Sequence, residues 1–221
     1  KRKCLDVGSV KIYKNNGNEW IKLGNEILGD SFADQKGVSI SLSEDGTTLA
    51  VGSPLSFNYS LNESNANVSV YKLNDGEWSQ IGTDIKSFDS NVERTDPDIY
   101  WDYFGYSTSL SSNGNVLAVG GFYEGRDSGS DNSGFVKIYE NVGDNFIQVG
   151  DTLVGNNSDY DEFGFSVDLS SDGSIVAVSS ANGGDVFIYK RSGDNWIKQG
   201  NTISFIDYAS DLTLEELGNE E

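Results

Sequence analysis

The chain has no histidine and no methionine, only two prolines, one cysteine, and 15 basic residues against 35 acidic ones. Without histidine, the Ser-His-Asp and Cys-His designs lose the base that activates their nucleophile. Zinc chemistry loses its usual ligands for the same reason. Cys4 has no partner within the chain, so it is a free thiol or an intermolecular link, and the redox compartment stays open. No apolar run approaches the 18 residues of a membrane-crossing helix, and membrane insertion is not expected. The missing methionine and the opening Lys1-Arg2-Lys3-Cys4 read as a segment processed or excised from a larger parent chain.

The net charge is −20, which repels phosphate backbones and speaks against nucleic-acid binding. It suits divalent cations, basic partners, or solubility in a salty or extracellular medium, and an extracellular or surface-exposed setting is expected. The four Asn-x-Ser sequons, at Asn58, Asn62, Asn67 and Asn156, are no more than this composition yields by chance. What the chain does have is 26 glycines, 12% aromatic and 36% apolar residues. That is the balance of a folded, turn-rich all-β protein.

Internal repetition decides the expected fold. A tyrosine is followed seven residues later by an aromatic residue and four later again by glycine: Tyr13/Trp20/Gly24, Tyr71/Trp78/Gly82, Tyr139/Phe146/Gly150 and Tyr189/Trp196/Gly200. The offsets are constant, while copies lie 58, 68 and 50 residues apart. Rigid modules joined by tolerant loops behave this way. A second register interleaves with the first: residues 37–46, 105–114 and 164–173 each run from one glycine to an Asp-Gly or Asn-Gly. Each is followed by an apolar run, Leu49-Ala-Val51, Leu117-Ala-Val119 or Val176-Ala-Val178. Val38, Ile40 and Leu42 alternate with serines, the period of a half-buried strand.

Asp45-Gly46, Asn113-Gly114 and Asp172-Gly173 predict hairpin turns, as do Asn16-Gly17, Asp75-Gly76, Val142-Gly143 and Ser192-Gly193. The expected fold is therefore a β-propeller of four-stranded antiparallel blades, with three complete blades and a half blade. The chain enters at a third strand, Ser9–Tyr13, and the propeller occupies residues 1–207. A tail of 208–221 remains. Tyr208 to Leu214 with Gly218 matches Phe163 to Leu169 with Gly173, as a closing innermost strand. The rival readings are a short capped helix over Thr213–Leu217 and a piece of a larger ring. The aromatic and tyrosine series, one member per blade, read as packing between blades.

Phe104-Gly105 and Phe163-Gly164, with Val51-Gly52-Ser53-Pro54 downstream of the first copy, resemble the signatures of FG-GAP repeats, the blades of integrin α-subunit propellers and of many microbial surface proteins. The resemblance covers residues 8–203. It departs at Lys36-Gly37, where Phe-Gly is expected, and the later copies lose the Gly-Ala-Pro. It implies a non-catalytic, adhesive role. The family's cation site would lie in the turn between strands 1 and 2. Only Asp45, Asn113 and Asp172 remain of it here, so the cation cage does not carry over, and these residues read as turn formers.

The connections between strands 2 and 3, and from strand 4 to the next strand 1, are long and irregular (54–66, 86–103, 121–134, 154–162). Insertions gathered on one end mark the expected binding face. The most distinctive segment carries Asp96, Asp98, Tyr100, Trp101, Asp102 and Tyr103. Aromatic rings beside carboxylates suit a sugar ring or a cationic peptide; the plainer alternative is that these rings fold back to anchor the loop. Asp127, Asp131, Asp159 and Asp161 have oxygen spacings that Ca²⁺ accepts. No cofactor is otherwise implied. The expected partner is a protein or glycan. Self-assembly into a filament, cell covering or virion is the alternative, and a glycoside-active propeller enzyme using paired carboxylates is a second.

Overall fold

The computed structural model describes residues 7–30, 34–55, 57–58, 63–64, 66–87, 103–122, 134–155, 162–181 and 184–204. These form twenty strands and no helix. The chain opens with β1 (Ser9–Val10), β2 (Tyr13–Asn15), β3 (Trp20–Lys22) and β4 (Ile27–Leu28), paired β1 with β4 and β2 with β3. The expected single strand over Ser9–Tyr13 is thus two short pieces. Together the four strands make the outer half of a sheet.

Three full antiparallel sheets follow. The first comprises β5 (Ser39–Leu42), β6 (Thr48–Ser53), β9 (Asn67–Asn74) and β10 (Glu77–Lys86), with a small hairpin of β7 (Phe57–Asn58) and β8 (Glu63–Ser64) between. The second is β11 (Ser107–Leu110), β12 (Val116–Gly121), β13 (Phe135–Val142), β14 (Asn145–Gln148) and β15 (Leu153–Val154). The third is β16 (Phe163–Leu169), β17 (Ile175–Ser180), β18 (Asp185–Ser192), β19 (Asn195–Lys198) and β20 (Ile203–Ser204). β15 and β20 continue the fourth strand beside β13 and β18. Consecutive strands pair in order, so every connection of one kind leaves from one end. This is an all-β, propeller-like row of sheets; the tail at 208–221, expected as a closing strand or short helix, lies outside the described residues.

The hairpin turns fall where glycine was expected. Those at Asp45-Gly46, Asn113-Gly114 and Asp172-Gly173 are four-residue loops (44–47, 112–115 and 171–174), and three of the two-residue turns are shifted. Val142 pairs with Asn145 and Ser192 with Asn195. The turns are therefore Gly143-Asp144 and Gly193-Asp194, and, with Asn16 N donating to Glu19 O at 3.1 Å, Gly17-Asn18, each one residue later than the sequence suggested. Gly143 and Asp144 both have positive φ, as do Asp75 and Gly76, the twist a two-residue hairpin needs.

Each sheet grips the next through its inner strand. Ser39 Oγ donates to the Gly105 carbonyl at 2.7 Å, and Leu110 N donates to Ser41 Oγ at 2.8 Å. One sheet on, Ser107 Oγ donates to Gly164 O at 2.8 Å, and Leu169 N donates to Ser109 Oγ at 3.0 Å. The turns join the same seams through Glu44 N to Ser112 O and Ser112 N to Ser171 O. The alternating serines are thus bolts between sheets, while Leu110, Val167 and Leu169 are buried behind them. Ile40 and Leu42 hold the matching places in the first sheet and stay exposed, because the layer before it has no inner strands among the described residues.

The Phe-Gly pairs are seam elements too. Phe104 and Phe163 are fully buried; Phe104 meets Phe135 and Tyr139, and Phe163 meets Phe187 and Tyr189. Gly105 has φ +87°, and a Cβ there would lie 2.9 Å from the Asn67 carbonyl. Lys36 takes the phenylalanine slot in the first sheet. It is buried, and its Nζ donates to Ser69 Oγ at 3.1 Å and Tyr71 OH at 3.2 Å, with Asp30 at 3.9 Å. Ser69 in turn donates to Asp84 at 2.7 Å, so an ionic network replaces an aromatic plug.

The outer edge has its own lock, and it explains the Trp-to-Gly spacing. Trp78 stands over Gly24, where a Cβ would come within 2.8 Å of the indole. Its Nε1 donates to Leu23 O at 3.1 Å. Its backbone N donates to Asn25 Oδ1 at 2.7 Å, and Asn25 Nδ2 donates to its carbonyl at 3.1 Å. Trp196 stands over Gly150 likewise. Trp78 and Trp196 are buried, as expected of packing between blades. Trp20 is not: it is 68% exposed, since no described glycine of an earlier sheet lies beneath it. Replacing Trp78 with alanine should lower unfolding stability by about 3–5 kcal/mol. Asn25→Ala, which strands a backbone N–H and a carbonyl, should cost about 1–3 kcal/mol; denaturant titration reads both.

Candidate functional site

The long connections start or finish at β6, β10, β12, β15 and the beginnings of β9, β11, β13 and β16, all at one end of the sheets. At that end lies a cluster of four partly exposed rings. Tyr103 stacks on Phe122 with centroids 4.6 Å apart and planes 12° apart. Tyr106 meets Phe122 edge-on at 4.5 Å, and Phe165 lies 5.3 Å from Tyr106 and 5.7 Å from Phe122. Tyr106 and Phe165 follow the two Phe-Gly pairs, and Phe122 follows β12. The cluster therefore bridges the second and third sheets, and Phe165 remains 38% exposed.

Backbone geometry holds these rings at the rim. Tyr103 has φ +47°, and the equivalent residues one position before the Lys-Gly and second Phe-Gly pairs, Gln35 and Glu162, have +47° and +52°. In each case a turn closes two residues past the pair's first residue: Val38 N to Gln35 O, Tyr106 N to Tyr103 O, and Phe165 N to Glu162 O. Left-handed backbone at a non-glycine residue costs energy and persists only where surroundings enforce it. Here each is followed by a buried side chain, Lys36, Phe104 or Phe163, and closed by the same turn.

Of the sequence-predicted binding residues, Tyr103 is placed, and its ring face lies against Phe122, so it anchors the loop end. Asp96, Asp98, Tyr100, Trp101 and Asp102 lie outside the described residues, as do Asp127, Asp131, Asp159 and Asp161. Among the described residues no group of three or more acidic or cysteine side chains is arranged to hold a metal. Tyr106, Phe122 and Phe165 were missed by sequence reasoning. The signal was present as an aromatic residue directly after each Phe-Gly, but Val38 at that place in the first copy masked it.

The turn residues Asp45, Asn113 and Asp172 behave as expected of turn formers. Asp172 accepts from Ser170 Oγ at 2.6 Å, Ser174 N at 3.0 Å and Ser174 Oγ at 2.9 Å. Asp45 repeats this with Ser43 and Thr47, and Asn113 with Ser111 and Asn115. The Ser170 hydroxyl, then the Ser174 donors, pull the Asp172 carboxyl from its ordinary 3.8 down to about 2. Asp45 is lowered in the same way. Of the sequons, Asn67 and Ser69 are buried in β9, which closes that one to modification in the folded chain.

No family model matches the chain, and no curated protein matches it. Solved structures do. A protein of unknown function from Desulfotomaculum acetoxidans superposes with TM-score 0.56 at 8% identity, over 90% of this chain and 49% of that one. A Lactobacillus plantarum protein gives 0.56 at 14%, over 89% and 49%. A candidate 6-phosphogluconolactonase from Bacteroides fragilis gives 0.57 at 12%, over 89% and 49%. At such identities the likeness concerns the fold alone. The chain spans about half the length of these neighbours.

Because the carboxyls of Asp45 and Asp172 are held below their ordinary range, their contribution is present above about pH 4 and is lost as pH falls below it, for Asp172 towards about 2. Asp172→Asn should keep the turn, as Asn113 does in the second sheet, and flatten the acid limb of the unfolding curve followed by circular dichroism.

Proposed function

We propose that the chain is a non-catalytic binding module that engages a protein or glycan partner through the end bearing the long connections. The observation that carries this reading is the ring cluster of Tyr103, Tyr106, Phe122 and Phe165 at that end. Partly exposed aromatic side chains set on strand ends form rigid apolar contact at little entropic cost. The net charge of −20 favours neutral sugars or basic peptides over anionic ligands. An extracellular or surface setting, and membership among FG-GAP-type propellers, fit the same reading. The Phe-Gly pairs support the latter by serving as seam elements in two consecutive sheets.

The Bacteroides fragilis neighbour suggests a second reading, hydrolysis of a phosphorylated sugar lactone. Three facts weigh against it. The chain has no histidine, its charge repels phosphate, and the inner strands over 39–42, 107–110 and 163–169 carry no lysine or arginine.

A glycan array and a pull-down with basic peptides, each with calcium and with chelator, test the proposal. Tyr106→Ala and Phe165→Ala should each weaken the captured partner by at least about tenfold while leaving circular dichroism unchanged. Binding that survives both variants would remove the cluster from the site. Turnover of a phosphogluconolactone would establish the second reading instead.

A further inference from the structure

The hairpin loops at 44–47, 112–115 and 171–174 are built alike, but the middle one carries an amide where the others carry a carboxylate. Ser111 is fully buried, and its Oγ accepts from Val116 N at 2.9 Å. Its own proton is therefore turned to Asn113 Oδ1, 2.9 Å away. Asn115 N donates to the same oxygen at 3.0 Å. Ser43 and Thr47 serve Asp45 in this way, and Ser170 and Ser174 serve Asp172. The aspartates receive one bond more, on the second oxygen, from the hydroxyl of Thr47 or Ser174. Residue 115 has no hydroxyl, which suits the amide nitrogen that Asn113 has in that place.

These donors favour negative charge on the oxygen they hold. Their effect shows at Asp172, where Ser170 and then Ser174 pull the carboxyl down to about 2. At Asn113 they surround an exposed amide that is followed by glycine. Deamidation of such a pair begins when Gly114 N, having lost its proton to solvent, bonds to Asn113 Cγ. Gly114 has no Cβ to hinder the approach. Its N–H donates to Ser111 O at 2.8 Å, a bond separate from those on Oδ1 and the one that must open first. Charge then develops on Oδ1, where Ser111 Oγ and Asn115 N already point. The Cγ–Nδ2 bond breaks, ammonia leaves with a proton from water, and a cyclic imide remains. Water reopens the imide, so amide and water become carboxyl and ammonia with no oxidation.

Which carbonyl the water attacks decides the product. Attack at Cγ gives aspartate with the normal backbone, and the donors on Oδ1 favour it. Attack at the main-chain carbonyl gives isoaspartate, whose backbone runs through the side chain. Packing opposes that form. Gly114 is buried, and a Cβ on it would lie 2.9 Å from Thr48 Cβ. Ser112 O accepts from Glu44 N at 3.0 Å and Ser112 N donates to Ser171 O at 2.9 Å, which clamps the loop to both neighbouring sheets. An inserted backbone methylene would break that clamp. We propose that Asn113 is a site of spontaneous deamidation in the folded chain, and that its donors steer the product to an aspartate in the pattern of Asp45 and Asp172. Each event adds a negative charge at the end of the sheets opposite the long connections. The inference does not depend on the ring cluster.

Ageing the folded chain in mildly alkaline buffer, followed by peptide mapping, tests it. The peptide bearing Asn113 should gain about 1 Da, with fragmentation placing the change at that residue. Aspartate should exceed isoaspartate there, whereas the urea-unfolded chain, without oriented donors, should show the reverse ratio. Asn113→Gln, whose longer side chain closes the ring poorly, should lose the gain. Asn113→Asp should unfold at no lower denaturant concentration than the parent at neutral pH, since the same loop accepts a carboxylate in two other sheets. Three results would overturn the proposal. They are an Asn113 that persists in the folded chain while the unfolded chain reacts, an excess of isoaspartate in both, and an Asn113→Asp midpoint below that of the parent.

Discussion

The seam between neighbouring sheets governs this structure, and its controlling feature is how closely two backbones approach. Gly52 and Gly120 face the carbonyls of Gly105 and Gly164 with no room for a methyl group. At that separation the serine hydroxyls of one inner strand reach the main chain of the next, and the phenylalanine before each glycine turns inward to fill the space behind. Loss of the glycine would push the strands apart and break hydrogen bonds and aromatic packing together. Each four-stranded sheet has too little apolar surface to be stable alone. The seam makes the row cooperative.

The same constraint shapes the end where the long connections gather. A buried side chain held against the neighbouring sheet, phenylalanine twice and Lys36 once, follows a residue in left-handed backbone and, across the glycine, sets the next residue but one at the rim. Where the slot holds phenylalanine, the rim residues are Tyr106 and Phe165, and they join Phe122 and Tyr103 in one cluster. Where it holds Lys36, the rim residue is Val38 and the space behind is an ionic network with Ser69, Tyr71 and Asp84. Packing thus separates a first sheet with polar plugging from two sheets with aromatic plugging, and only the latter pair presents a ring surface.

Much of this was legible in the chain itself. Constant Tyr-to-Trp-to-Gly offsets identified four-stranded units because a strand pair joined by a two-residue turn has fixed length. The Asp-Gly and Asn-Gly turns were legible because few residues accept their backbone angles, although three hairpins turned one residue later than the sequence suggested. Asp45 and Asp172 were rightly read as turn formers, since each has Ser or Thr two residues away on either side. The ring cluster was less legible: its members sit 3 to 62 residues apart, and Phe122 and Phe165 reach the two tyrosines only through strand pairing and the stacking of sheets.

By itself the sequence determined the all-β class, the strand order within each unit and the turn chemistry, all of which depend on neighbours along the chain. Tertiary structure alone decided that the serines act as bolts between sheets, and that Trp78 and Trp196 are buried over Gly24 and Gly150 while Trp20 stays exposed. It also decided that Lys36 substitutes for a core phenylalanine. Those facts depend on which surface comes to lie within a few ångströms of another. Spacing along a chain does not encode that distance; the stacking of sheets sets it.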